Sequence, residues 1–129
     1  MKSIQASAVL FAKQLTSVAA FYQAVFGLEP SRSDADHVQL RFGSFELVIH
    51  QIPRQFLSSA RDDTAFERRE RAAVCLNFPV SDIAHARREA NRLGGTIDDL
   101  PPPWAGADKS FFLGHDPEGN VFGAKVETP

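Results

Sequence analysis

Val74-Cys75-Leu76-Asn77-Phe78-Pro79-Val80-Ser81-Asp82-Ile83, followed by Ala84 through Leu93 and then Gly94-Gly95, decides how this chain is read. It repeats, 68 residues on, an earlier stretch: Ala8-Val9-Leu10-Phe11-Ala12-Lys13-Gln14-Leu15, then Val18 through Phe26, then Gly27. Ser7 aligns with Cys75, and Leu15 with Ile83. Each copy is an apolar strand-like run, a helix-like run and a closing glycine. A duplicated half-domain commonly places its ligand site where the halves meet.

Gln5 to Ala12 reads as a strand, and its almost wholly apolar composition predicts burial on both faces. Thr16 or Ser17 is the expected cap of the next helix. Val18, Phe21, Tyr22, Val25 and Phe26 recur at helical spacing as its buried stripe, and Gly27 supplies a left-handed terminus. Glu29 to Ser33 is a short strand. His37 to Phe42 and Phe45 to Gln51 alternate in polarity around the tight turn Gly43-Ser44. The first half therefore reads β-α-β-β-β and ends at Pro53. Residues 54–71 carry mixed charge and read as a linker, with a short helix around Phe66.

The second half keeps the order. Ala73 to Val80 is a strand, Asp82 a helix cap, and Ile83, Ala86, Ala90 and Leu93 a buried stripe. Thr96 to Asp98 is a short strand, and the stiff run Pro101-Pro102-Pro103 presents Trp104. Lys109 to Gly114 and Asn120 to Val126 are strands joined by Asp116-Pro117-Glu118-Gly119-Asn120, a turn signal.

A length of 129 residues fits one domain, residues 1–129, with a first module at about 5–52, a linker at 53–72 and a second module at about 73–127. Net charge is −2 without blocks of like charge, which argues against nucleic acid or an anionic membrane surface as partner. The single Cys75 cannot form an internal disulfide. The first residues lack a signal-peptide layout and no apolar run is long enough to span a bilayer, so a cytoplasmic setting is expected.

The segments Leu15 through Phe21-Tyr22 to Gly27-Leu28 and Val80-Ser81-Asp82-Ile83 to Gly94-Gly95 carry a resemblance. So do Trp104 with Gly106, and Phe111-Phe112-Leu113 followed by Asp116-Pro117-Glu118-Gly119-Asn120-Val121-Phe122. Together they resemble the vicinal oxygen chelate superfamily, which includes glyoxalase I, extradiol dioxygenases, fosfomycin-resistance enzymes and bleomycin-resistance proteins. The resemblance implies an α+β fold: two βαβββ modules forming a curved mixed sheet around a cleft, with helices on the convex side. Fold alone does not supply function.

With the helices on the convex side, strand alternation assigns the cleft faces. These are Ser7, Val9 and Phe11 on the first strand, Gln39, Arg41, Glu46, Val48 and His50 on the third and fourth, and Cys75, Asn77, Pro79, Val121, Gly123 and Lys125 in the second half. The resemblance places metal ligands at Ser7, Cys75, Gly123 and either Glu46 or His50. Glycine has no ligand side chain and serine is a poor ligand, so no metal centre and no cofactor are expected.

Each remaining group has a use and a plainer reading. His50, with Glu46, is the candidate general base, or else a hydrogen-bonding pocket wall. Arg41 suits a carboxylate or phosphate, or else pairs with Glu46. Cys75 reads as a small apolar filler. Trp104 either stacks on a planar ligand or packs at the core or a dimer contact. The expected ligand-binding set is Phe11, Gln39, Arg41, His50, Asn77, Trp104 and Phe112, with Phe56 and Phe66 adding to the wall. The leading expectation is a homodimeric, metal-free small-molecule-binding protein similar to bleomycin-resistance proteins, taking a planar or amphipathic ligand. The alternatives are a metal-dependent lyase, isomerase or dioxygenase resembling glyoxalase-type relatives, which needs a divalent metal, and metal-free acid–base chemistry by His50 with Glu46.

Overall fold

In the computed structural model, residues 4–57 and 67–127 are described. The elements follow the expected order. The first module comprises β1 (Ala6–Ala12), α1 (Leu15–Phe26), β2 (Glu29–Ser33), β3 (His37–Phe42) and β4 (Phe45–Gln51). The second comprises β5 (Leu76–Val80), α2 (Ile83–Arg92), β6 (Thr96–Ile97), β7 (Phe111–His115) and β8 (Val121–Val126). Short 3₁₀ turns occupy Arg54–Phe56 and Pro103–Ala105. The strands form two four-stranded mixed sheets, ordered β1-β4-β3-β2 and β5-β8-β7-β6. The first and last strands of each module pair in parallel. Two βαβββ modules, α+β in class, are thus present. The helix expected around Phe66 lies outside the described residues.

One face of each sheet is sealed. Leu40, Leu47 and Ile49 are fully buried, with Ala8, Leu10 and Phe42 packed against them. Phe78, Val80, Phe122 and Ala124 do the same in the second sheet. The expectation that β1 is covered on both faces is corrected: Val9 is 52% and Phe11 60% exposed. The core reaches only the face that α1 covers, and the apolar residues of the other face line the open wall.

α1 belongs to the first module but packs against both. Its Phe26 stacks on Phe78 of β5 at 4.7 Å and meets Phe122 of β8 edge-on at 5.0 Å. Phe21 and Tyr22 also lie against Phe122. Gly27 closes the helix at φ 69°, a conformation any β-carbon resists.

The start of α1 is not capped by Thr16 or Ser17, which lie inside the helix. Glu118, in the turn between β7 and β8, accepts from the Lys13 and Gln14 amides, both at 2.7 Å. Gln51 Oε1 accepts from Leu15 N–H at 3.1 Å. Caps therefore come from distant chain, because the turn carrying Glu118 is docked under the helix. That docking rests on Asp116, fully buried, whose Oδ2 accepts from the Tyr22 hydroxyl at 2.8 Å. Its Oδ1 accepts from the Glu118 and Asn120 amides, and the Asn120 side-chain amide donates to both oxygens. Burial, and then the Asp116 carboxylate, push the Tyr22 hydroxyl well above its usual pKa, so it stays a donor.

In the second module Asp82 caps α2 as expected, accepting from His85 N–H at 3.0 Å. β7 starts two residues later than expected because Asp108 Oδ1 accepts from both Ser110 N–H and its hydroxyl, holding that segment in a turn.

Glu118→Ala is expected to lower the unfolding free energy by about 1–2 kcal/mol, as loss of a helix cap does. Tyr22→Phe should cost about 1–3 kcal/mol by leaving part of a buried carboxylate unsatisfied. Urea denaturation measures both, and unchanged midpoints would refute the clamp.

Candidate functional site

The β1-β4-β3 register arranges the open face of the first sheet in rows. Ser7, Glu46 and Arg41 make one, Val9, Val48 and Gln39 the next, and Phe11, His50 and His37 the third. The antiparallel β2 extends the first two with Glu29 beside Arg41 and Arg32 beside Gln39. Arg41 is exposed and stands in register opposite both Glu46 and Glu29, but no salt bridge to either forms, so the expected Glu46 pairing is not made.

Glu46 and His50 share this face but sit two rows apart, roughly 13 Å along a strand rising about 3.3 Å per residue. They do not converge on one reacting atom, which is a correction to their reading as an acid–base pair. His50 is instead grouped with aromatic rings. The Phe11 ring lies 5.9 Å from it, and the His37 ring lies 6.1 Å away and only 12° from parallel. His37, absent from the expected cleft set, is the residue that sequence reasoning missed here. The two-residue turn at Gly43-Ser44 pairs Phe42 with Phe45, and counting back from it pairs His37 with His50.

The open face of the second sheet carries Asn77, Gly123 and Leu113 in one row and Pro79, Lys125 and Phe111 in the next. Trp104, 70% exposed, stands 5.5 Å from the Phe111 ring. Phe111 is a second residue that the sequence reading passed over. Phe112, expected on the ligand wall, lies on the opposite face: it pairs with buried Ala124, packs on the core, and carries the Arg87 guanidinium 4.6 Å above its ring. Period-2 alternation puts Phe111 and Phe112 on different faces, and the helix-covered one takes Phe112. Phe56 is 70% exposed beyond β4; Phe66 lies outside the described residues.

The points at which the resemblance implied metal ligands do not make a donor set. At Gly123 a β-carbon would run into Asn77 Oδ1 and come within 2.6 Å of the Phe111 ring, so the neighbours have closed over the space a ligand side chain needs. Matching the two parallel pairings, Asn77↔Gly123 and Val9↔Val48, makes Val48 the equivalent of Gly123 in the first module. It too offers no donor. Cys75, expected as an apolar filler, is exposed, because it precedes β5 on the open side; partial desolvation still pushes its thiol above its usual pKa, away from the thiolate a metal prefers. Its nearest polar neighbours are Asn77 Oδ1 at 3.7 Å and the Leu76 carbonyl at 3.9 Å. Asp34, Asp36 and His37 gather donor atoms within 4.8 Å of one another. That cluster is the β2–β3 turn itself, where Asp34 Oδ1 accepts from the Asp36 and His37 amides.

A cavity of about 830 Å³ opens beside the β6 edge, lined by Arg68, Arg87, Asp98, Pro101 to Pro103 and Trp104. Arg68, at the end of the linker, donates through both terminal nitrogens to Asp98, each at 2.7 Å. A second cavity of about 300 Å³, lined by Val9, Leu10, Tyr22, Val74, Leu76 and Val121, lies where the modules meet. Of the expected ligand contacts, Trp104 borders the larger cavity, while Phe11, Gln39, Arg41, His50 and Asn77 stand on the open sheet faces.

Gly123→Ala is expected to destabilise the fold by about 1–3 kcal/mol through overpacking. Asn77→Ala in the same chain should recover part of that loss, a coupling of at least about 0.5 kcal/mol in a double-mutant cycle. Because its pKa is raised, Cys75 should react with iodoacetamide at pH 7.5 more slowly than an unhindered thiol, and faster as pH rises. Alkylation already fast and pH-independent at pH 6 would show a stabilised thiolate instead.

The chain resembles an integron cassette protein from the mobile metagenome of V. cholerae (22% identity, TM-score 0.61, 99% of this chain and 98% of that one). It also resembles a glyoxalase/bleomycin resistance protein from Albidiferax ferrireducens T118 (17% identity, TM-score 0.63, 98% and 100%). A third neighbour is the fosfomycin resistance protein FosX from Listeria monocytogenes, in a mutant form complexed with Mn(II) and 1S,2S-dihydroxypropylphosphonic acid (15% identity, TM-score 0.66, 99% and 92%). At these identities the likeness speaks for the fold. No curated protein sequence matches. The profile of the glyoxalase-like domain matches residues 7–124, nearly the whole chain, and the chain accordingly belongs to the glyoxalase-like domain family.

Proposed function

We propose that this protein binds a small planar or amphipathic organic molecule on its open sheet faces, without a metal at the family's ligand points, in the manner of bleomycin-resistance proteins. The observation that carries this reading is the closure of the Gly123 position by Asn77 and Phe111. A wall that has filled its ligand position with an amide and a ring has lost the electrophile on which metal-assisted lyase or dioxygenase chemistry depends. It retains recognition groups. Phe11, Val9 and Val48 give apolar surface, Gln39 and Asn77 give hydrogen-bonding groups, and Trp104 beside Phe111 gives an aromatic platform.

The same faces support a homodimer. Val9, Phe11, Val74 and Trp104 are each more than half exposed in the single chain, an apolar surface that a second copy would cover while completing the cleft. FosX, whose structure holds Mn(II), marks the alternative of a metal-dependent enzyme. For this chain that alternative needs ligands other than Ser7, Cys75 and Gly123.

Trp104 is the single tryptophan, so intrinsic emission reports on one place. Titration with 8-anilinonaphthalene sulfonate, a planar amphipathic probe, should change that emission saturably, and pre-treatment with EDTA should leave the affinity unchanged. Trp104→Ala, followed by the probe's own fluorescence, should weaken binding about three- to tenfold, the worth of one aromatic contact. Binding that vanishes with EDTA and returns with Mn(II) would overturn the metal-free reading.

A further inference from the structure

The resemblance left the first module's ligand point open between Glu46 and His50, and the strand register gives that point to Val48; His50 is instead paired with a second imidazole in the third row of the first sheet. His37 and His50 face each other across the antiparallel β3–β4 ladder. The neighbouring Gln51 N–H donates to the Asp36 carbonyl at 2.8 Å. The His37–His50 pair therefore falls between ladder bonds, where facing side chains stand closest. Both rings are half-buried, nearly parallel, and 6.1 Å apart at their centroids.

The hydrogen bonds fix which nitrogen of each ring is free. His50 Nδ1 lies 3.0 Å from the Gln51 carbonyl oxygen, which can only accept, so Nδ1 carries the proton. His37 Nδ1 lies 2.8 Å from Asp34 Oδ1 and 3.4 Å from Asp36 Oδ1, again acceptors. In the neutral form each ring therefore presents a bare Nε2 lone pair. An imidazole whose Nδ1–H is held by a carboxylate or a backbone carbonyl is the usual state of a metal-ligating histidine, and the oxygen partner raises the basicity of the ligating nitrogen.

We propose that His37 and His50 form a two-nitrogen site for a borderline divalent transition-metal ion such as Zn²⁺ or Cu²⁺, bound through both Nε2 atoms. Imidazole suits these ions; two metal–nitrogen bonds of about 2.0–2.1 Å span at most about 4.1 Å, so loading turns the near-parallel rings until both in-plane Nε2 lone pairs meet the ion. The Asp34 and Asp36 carboxylates behind His37 offset the added positive charge. The Phe11 ring, 5.9 Å from His50, walls one side. The remaining coordination positions are left to water. The site is separate from Ser7, Cys75 and Gly123, and it stands whether or not the metal-free reading of those points holds.

The test uses tag-free full-length protein and the metal alone. Electron paramagnetic resonance of the Cu²⁺-loaded wild type should show two coordinated nitrogens at one equivalent. His37→Gln and His50→Gln should each reduce the nitrogen count to one and weaken Zn²⁺ binding, measured calorimetrically, at least tenfold. His85→Gln, on the surface of α2, should leave both readouts unchanged. Two outcomes overturn the proposal. One is wild-type protein that shows no saturable one-equivalent binding. The other is His50→Gln protein that binds as the wild type does, which would place the ion on the Asp34–Asp36–His37 turn. The wild-type nitrogen count decides the matter even if a variant folds poorly.

Discussion

The carboxylate of Asp116 is the constraint from which the rest of the arrangement follows. It is fully buried and holds partners on both sides of the module boundary: its own turn through the Glu118 and Asn120 amides, and α1 of the other module through the Tyr22 hydroxyl. A buried charge of this kind is tolerated only when its lone pairs are taken. The four donor groups around it therefore specify one placement of the turn against the helix. With the turn fixed, Glu118 reaches the amides at the start of α1, and the helix needs no cap of its own. The aromatic contacts of Phe21, Tyr22 and Phe26 with Phe78 and Phe122 then supply the apolar burial that makes two modules one core.

Using one face of each sheet for that core commits the other to solvent or to a guest. The parallel pairing of first and last strands sets which residues share a row, and the rows sort the chemistry. Ser7, Glu46 and Arg41 make a charged row, Val9 and Val48 an apolar centre, and Phe11, His50 and His37 an aromatic and imidazole row. In the second sheet the rows hold amide, glycine and aromatic groups with Trp104 beside them.

At position 123 packing and chemistry meet: Asn77 and Phe111 occupy the volume that any side chain there would need. Restoring a side chain there requires neighbours to move. The imidazole pair shows the converse: two rings brought side by side by hairpin register.

The sequence by itself determined the order of elements, the duplicated β-α-β-β-β halves and the division of each strand into two faces. These rest on local rules: period-2 alternation, helical spacing of Phe21, Tyr22 and Phe26, and the proline and glycine of the 116–120 turn. It also showed that Gly123 and Ser7 are unfit as ligands, since that depends only on side-chain chemistry. It could not show that Glu118 rather than Thr16 or Ser17 caps α1, that Phe112 turns to the core while Phe111 joins Trp104, or that Asn77 closes over Gly123. Those outcomes depend on contacts between residues tens of positions apart, which only the docking of the modules brings within reach. The pairing of His37 with His50 lies between the two cases. The turn at Gly43-Ser44 fixes it by counting, yet its chemical meaning appears only once Asp34, Asp36 and the Gln51 carbonyl hold both Nδ1 atoms.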